Sequence, residues 1–160
     1  MMIADDAPLR ILLVEDNEDD VLYTKRVLAK SGVVCELEVA KDGRSALEAL
    51  ARYKAAARGR RDAGPNLVLL DVGLPGMDGL EVLRRMKADP ALRNIPVAVL
   101  TGSRDRADLE TSVELGTNLY LNKPVAIVDI VYMVLGVHKY WLATQGALGR
   151  RRRDRGANAA

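Results

Sequence analysis

Cysteine and histidine are nearly absent from this chain of 160 residues, which has one of each, Cys35 and His138. A single cysteine excludes a disulfide framework and a cysteine-based zinc site. A single histidine excludes any site that needs two imidazoles. No GxGxxG or P-loop pattern follows the first apolar run, which argues against a nucleotide- or flavin-binding enzyme. Residues 1–8 read MMIADDAP, acidic and without an apolar core, so no signal peptide is expected and the cytoplasm is the expected compartment. What remains is a composition of 49% hydrophobic and 29% charged residues. That balance suits one soluble domain able to bury about two-thirds of its unfolded surface without staples. The net charge of +2 belongs to the end of the chain. Residues 149–160 (GRRRRDRGANAA) hold five Arg and one Asp; without them 19 basic and 21 acidic residues leave a net of −2. Residues 145–160 are therefore expected to be a solvated, disordered basic tail, and nucleic acid is not an expected partner of the body.

The body alternates strand and helix. Residues 10–15 (RILLVE), 66–71 (NLVLLD) and 96–101 (PVAVLT) are apolar runs that stop at polar residues, as buried parallel strands do. Residues 33–39 and 117–122 complete five strands. Helices are expected at 17–31, 43–57, 79–87, 105–115 and 125–144. Asn17 caps the first, with Glu18, Asp19 and Asp20 in its first turn. Val21/Leu28 and Leu22/Ala29 supply its apolar repeat, and Ser31-Gly32 ends it. Ala46, Leu47, Leu50 and Tyr53 share one face of the second. Asp78 and Glu81 have capping-box spacing before the third. Strand–helix alternation with short connections predicts an α/β doubly wound, five-stranded parallel sheet with helices on both faces. Residues 1–8 read as an extension and 9–144 as the domain.

Ligands of such sheets gather outside the carboxyl ends of the strands. Four of those ends carry unusual residues: Glu15-Asp16, Asp71, Thr101 and Lys123-Pro124. Two carboxylates about 4 Å apart repel by roughly 4 kcal/mol at an effective dielectric of 20. Three of them would cost around 10 kcal/mol, more than one lysine cancels. Either a proton is retained or a divalent cation binds, and all-oxygen ligands favour Mg²⁺ over zinc. A carboxylate beside Mg²⁺ is also a competent nucleophile toward phosphorus, with Lys123 and Thr101 placed to meet phosphoryl oxygens. Singly, Asp71, Thr101 and Lys123 would be ordinary strand-end residues; the set makes them a site.

The segments ILLVEDNEDD, NLVLLDVGLPGMDGLEVL, PVAVLTG and YLNKPV resemble the receiver domain of two-component response regulators, over about residues 9–143. The resemblance implies a flavodoxin-like (βα)5 fold and phosphoryl transfer from the phosphohistidine of a sensor histidine kinase. By motif position it makes Asp71 the phosphoacceptor, Asp16 the direct Mg²⁺ ligand, Glu15 a ligand through water and the Gly73 carbonyl a further ligand. Thr101 and Lys123 match the phosphoryl-contacting pair, Lys123-Pro124 a peptide usually cis, and Tyr120 the aromatic switch. The first acid is Glu where Asp is commoner, and the extra length before Asp71 lies in the loop at 58–65. Gly73 and Ser103 stand where the family tunes hydrolysis, and neither positions water, so a slow loss of phosphate is expected. Such a protein assists its own phosphorylation and dephosphorylation and is not a turnover enzyme. Gly79 reads as a turn glycine, and Cys35 as a small buried hydrophobe.

In residues 125–143, 15 of 19 are apolar, more than one sheet-facing stripe needs. Asp129, His138 and Lys139 interrupt the run, so a membrane span is not expected. Only a short tail follows, which suggests a stand-alone receiver that signals by contact. The expected contact is a homodimer through the fourth helix, fifth strand and fifth helix, with Val128, Val131, Tyr132, Leu135 and Trp141 as candidates. The long loop and the aromatic-ended last helix also resemble the small regulators that serve bacterial and cyanobacterial phytochromes, which implies a light-sensing kinase as partner. A phosphate sink and a phosphorylation-independent interaction module are the alternatives.

Overall fold

Three apolar runs occupy the middle of a parallel sheet, as their lack of alternation requires. The structure is a computed structural model that describes residues 8–57, 64–74, 79–102, 110–111, 113–116, 119–123, 128–129, 132–133 and 135–136, with the side chains of Thr101 and Asn122 outside that description. Its strands are β1 (Leu9–Val14), β2 (Cys35–Ala40), β3 (Leu67–Asp71), β4 (Val97–Thr101) and β5 (Leu119–Asn122). Helices α1 (Glu18–Lys30), α2 (Gly43–Ala57) and α3 (Gly79–Ala88) follow the first three strands. Helical residues also occur at 110–111, 113–114, 128–129, 132–133 and 135–136. The strand order is β2-β1-β3-β4-β5, all parallel. This is the expected five-stranded sheet, and its order reverses between β1 and β3. That reversal opens a crevice at the carboxyl rim.

Each sheet face has its own core. On one, Leu12, Val14, Val68, Leu70, Val97 and Val99 pack with Ala46, Ala49 and Leu50 of α2 and Leu80, Val82, Leu83 and Met86 of α3. On the other, Ile11, Leu13, Leu67, Leu69, Ala98 and Leu100 pack with Val27 and Leu28 of α1, and Met133 leans on them. Burying each such Val, Leu, Ile or Met side chain contributes roughly 1.5–3 kcal/mol, which fixes the register of the central strands.

Local signals set the helix ends. The Asn17 side chain accepts the Asp20 N–H at 3.0 Å, and Gly32 sits at φ +77°, a conformation glycine adopts without strain. Of the expected apolar repeats of α1, Val21/Leu28 packs on the core and Leu22/Ala29 does not. Leu22 and Ala29 are exposed, while Thr24, Val27 and Leu28 are buried. A repeat of seven fits two adjacent stripes, and packing chose the one through Thr24. The Glu81 carboxylate pairs with Arg84 and Arg85 one turn on, and its expected capping partner Asp78 lies outside the described residues. Cys35 is half-buried rather than buried, on edge strand β2. Among the described residues, no helix is long and apolar enough to cross a membrane. Residues 1–7, 58–63 of the long loop, and 137–160, with His138, Trp141 and the basic tail, lie outside the described residues.

Candidate functional site

The rim at the carboxyl ends is where buried strands run out of apolar partners and the chain turns polar. Val14 of β1 pairs with Leu70 of β3, so Glu15 comes level with Asp71. Asp71 pairs with Leu100 of β4, and Thr101 with Asn122 of β5. Register therefore brings Glu15, Asp71, Thr101 and Lys123 to one edge. Two hydrogen bonds extend the sheet past the carboxylates: Glu15 N–H to the Ala40 carbonyl at 2.9 Å, and Val72 N–H to the Leu100 carbonyl at 3.3 Å.

Glu15 is 2% exposed, and Asp71 is also buried. Asp16 is exposed. The Glu15 Oε1 accepts the Asn17 N–H at 3.2 Å, and its Oε2 accepts the Lys123 ammonium. Asp71 uses both oxygens. Oδ1 accepts the Gly73 N–H at 2.8 Å, a tight local turn, and Oδ2 accepts Lys123 Nζ at 3.0 Å. Lys123 also donates to Asp20 Oδ2 at 3.0 Å.

One ammonium divided among three carboxylates does not fully compensate any of them. Burial pushes the Glu15 carboxyl up to about 7, against the pull of Lys123 and the Asn17 N–H, and the Asp71 charge adds to the push. For Lys123, burial alone would favour the neutral amine. The hydrogen bonds to Glu15, Asp20 and Asp71 outweigh it, so the group is held above the ordinary lysine range. The cluster is thus a retained positive charge inside a larger negative one.

Glu15, Asp16 and Asp71 each offer one carboxylate oxygen, and these lie within 4.8 Å of one another. An all-oxygen, net-negative donor set with one open, exposed member fits a hard divalent cation. Nothing in the set suits a metal that prefers nitrogen or sulfur.

Of the remaining expected residues, Thr101 ends β4 at the rim, and its side chain lies outside the description. Pro124 and Ser103 lie outside the described residues, so the Lys123-Pro124 peptide is not seen, and of the two hydrolysis-tuning positions only Gly73 is described. Tyr120 pairs in register with Val99 and is half-buried against the α2–α3 core. Val128 and Tyr132 are 53% and 72% exposed, and Leu135 is half-buried. Val131 and Trp141 lie outside the described residues.

Two residues at the rim were missed by sequence reasoning. The sequence marks Asp20 only as a first-turn carboxylate, yet it is a partner of Lys123. Its place on the first turn after the acidic pair was the available signal. By sequence Gly79 is only a turn glycine. A Cβ there would lie 2.2 Å from the Asp71 carbonyl oxygen and 2.7 Å from Val72 Cα, so α3 starts pressed against the strand end that carries Asp71.

Comparison with known proteins agrees with this geometry. Residues 11–135 match the response regulator receiver domain family. The chain is 41% identical over 137 residues to the response regulator Rcp1 of Synechocystis sp., covering 86% of this chain and 91% of that protein. The crystal structure of the phosphorylated cyanobacterial phytochrome response regulator RcpA superposes with a TM-score of 0.69 at 37% identity, covering 86% of this chain and 96% of that one. The Mn²⁺-bound form of Rcp1 superposes with a TM-score of 0.66 at 40% identity, covering 84% and 95%.

Proposed function

This chain belongs to the response regulator receiver family of two-component systems, and from that premise we propose that Asp71 accepts a phosphoryl group from the phosphohistidine of a sensor histidine kinase. An Asp71 carboxylate oxygen forms a bond to phosphorus while the phosphorus–nitrogen bond of the phosphohistidine breaks, and the electron pair returns to the imidazole. The observation that carries this reading is the arrangement of Lys123. Its ammonium bridges Glu15 and Asp71, beside the carboxylate whose other oxygen is fixed by the Gly73 N–H. Phosphoryl transfer is mainly positioning and charge stabilisation, and a fixed carboxylate with an ammonium at 3.0 Å provides both.

Asp16 and Asp71, with the Gly73 carbonyl, would hold Mg²⁺ directly, and Glu15 would act through water. The cation, when bound, supplies charge neutralisation for phosphoryl oxygens. Exposed Asp16 offers the open ligand, whereas buried Glu15 is committed to Lys123 and the Asn17 N–H. The Thr101 hydroxyl donates to a phosphoryl oxygen. The protein acts as a regulator and performs no turnover on a free substrate.

The signal leaves by shape. The acyl phosphate adds about −1.5 to −2 charges at the rim. Lys123 and Thr101 shift toward it, Tyr120 turns inward, and the face made by β5 and the two flanking helical segments changes. The exposure of Val128 and Tyr132 supports a homodimer on that face, for which Val131, Leu135 and Trp141 are the further candidates from the sequence. Light scattering at tens of micromolar tests this, and a monomer mass with and without a phosphoryl analogue refutes it. The likeness to a phytochrome response regulator supports a phytochrome-type light-sensing kinase as the donor. The deciding experiment is incubation with that kinase, ATP and Mg²⁺. Label is expected on the native chain and not on Asp71→Asn; equal labelling of both refutes the proposal.

A further inference from the structure

An ammonium has three N–H bonds, and all three of Lys123 are engaged. Its acceptors come from three places: Glu15 after β1, Asp20 in the first turn of α1, and Asp71 at the end of β3. No proton is left for a phosphoryl oxygen, so one bond must open when a phosphoryl group arrives. Burial decides which. Glu15 is 2% exposed, and a carboxylate stripped of its partner there cannot be rehydrated. Asp71 carries the incoming group itself. The Asp20 side chain is 45% exposed and can exchange the ammonium for water at small cost. Its backbone is anchored, because the Asp20 N–H is held by the Asn17 side chain, so only the carboxylate needs to let go.

Resting on Asp71 as the acceptor, we infer that Asp20 is a positioning residue for Lys123, the carboxylate that holds the ammonium in the unphosphorylated chain and releases it to the phosphoryl group. Asp20 competes with the phosphoryl oxygens for one proton of Lys123. It therefore weakens the rim's grip on the phosphorylated state and tunes how much of the protein is switched on.

The test titrates the full chain, in Mg²⁺, with beryllium trifluoride, a phosphoryl-shaped anion. Asp20→Asn is expected to bind it two- to fivefold more tightly, about what a half-exposed ion pair is worth. In a Lys123→Met background the same change is expected to have no effect. No tightening in Asp20→Asn overturns the inference, and so does tightening that persists without Lys123, because that would be general charge repulsion. A second readout needs no acceptor: hydrogen exchange of the Lys123 ammonium in metal-free protein, at fixed pH, is expected to quicken severalfold in Asp20→Asn. Unchanged exchange also overturns the inference. Asp71→Asn separates the two claims. If it binds the anion as well as the native chain, the acceptor assignment fails, and the exchange result alone judges Asp20.

Discussion

Adding one methyl group at Gly79 measures how closely α3 is pressed on the strand end that carries Asp71. The new Cβ would lie 2.2 Å from the Asp71 carbonyl oxygen and 2.7 Å from Val72 Cα. Non-bonded carbon atoms settle about 3.5–4.0 Å apart, so the helix start must retreat by roughly 1 Å. Both obstacles are backbone, and no rotamer change relieves them. Overpacking of this kind costs about 1–3 kcal/mol, and rigid neighbours on both sides place it near the top. Better helix propensity returns at most about 1 kcal/mol. The net loss is about 2 kcal/mol, which for a domain this size lowers Tm by roughly 4–8 °C. Scanning calorimetry reads it directly. The displacement also reaches Asp71, so Mg²⁺ affinity and phosphoryl acceptance fall with stability. Gly136→Ala is the matched control. It lies in helical backbone with open space around the added Cβ, and a gain of about 0.5–1 kcal/mol is expected. Gly79→Ala melting at or above the native chain would refute the close approach, and so would the same sign at both glycines.

Other perturbations follow from the rim and its supports. The Glu15 carboxyl is pushed above its ordinary value to about 7, so its favourable contribution to the metal-free chain is complete below about pH 4.5 and is lost as pH rises toward 7. Relative to Glu15→Gln, the native chain in EDTA is expected to lose on the order of 3 kcal/mol across that window in urea unfolding, and a difference that ignores pH contradicts the burial argument. Mg²⁺ at a hundred times its Kd is expected to add about 2.7 kcal/mol to stability, seen as a rise in Tm that Asp16→Ala abolishes. A rise that survives Asp16→Ala would place the cation elsewhere. Asn17→Ala removes the side-chain acceptor for the Asp20 N–H and is expected to cost about 1 kcal/mol, with Asn17→Gly costing only a few tenths. Equal loss in both variants, measured by urea unfolding, would argue against the cap.

Much of the architecture was legible because buried parallel strands advertise themselves. The apolar runs ending at Val14, Asp71 and Thr101 become three adjacent central strands, and their ends fall at one rim because the strands run in parallel register. The acids and Lys123 were legible for the same reason. What was not legible depends on how elements pack. Thr24 is buried although it breaks the apolar repeat, and Leu22 is exposed although it continues one. Asp20 meets Lys123 across 103 positions of chain, and its place one turn after the acidic pair hints at the rim without naming the partner. Gly79 looks like any glycine in a turn until the helix is set against β3. The exposed face at Val128 and Tyr132 was legible as an excess of apolar residues, since a helix on a sheet needs only one such stripe.

Chemical trapping at Asp71 is the most direct measurement. The chain is phosphorylated in Mg²⁺ and treated with borohydride, which reduces an aspartyl phosphate to homoserine, and its peptides are sequenced by mass spectrometry. Homoserine is expected at position 71, dependent on Mg²⁺ and much reduced in Lys123→Met. An intact Asp71 in fully phosphorylated protein, with the phosphoryl group on any other side chain, would contradict the proposed chemistry.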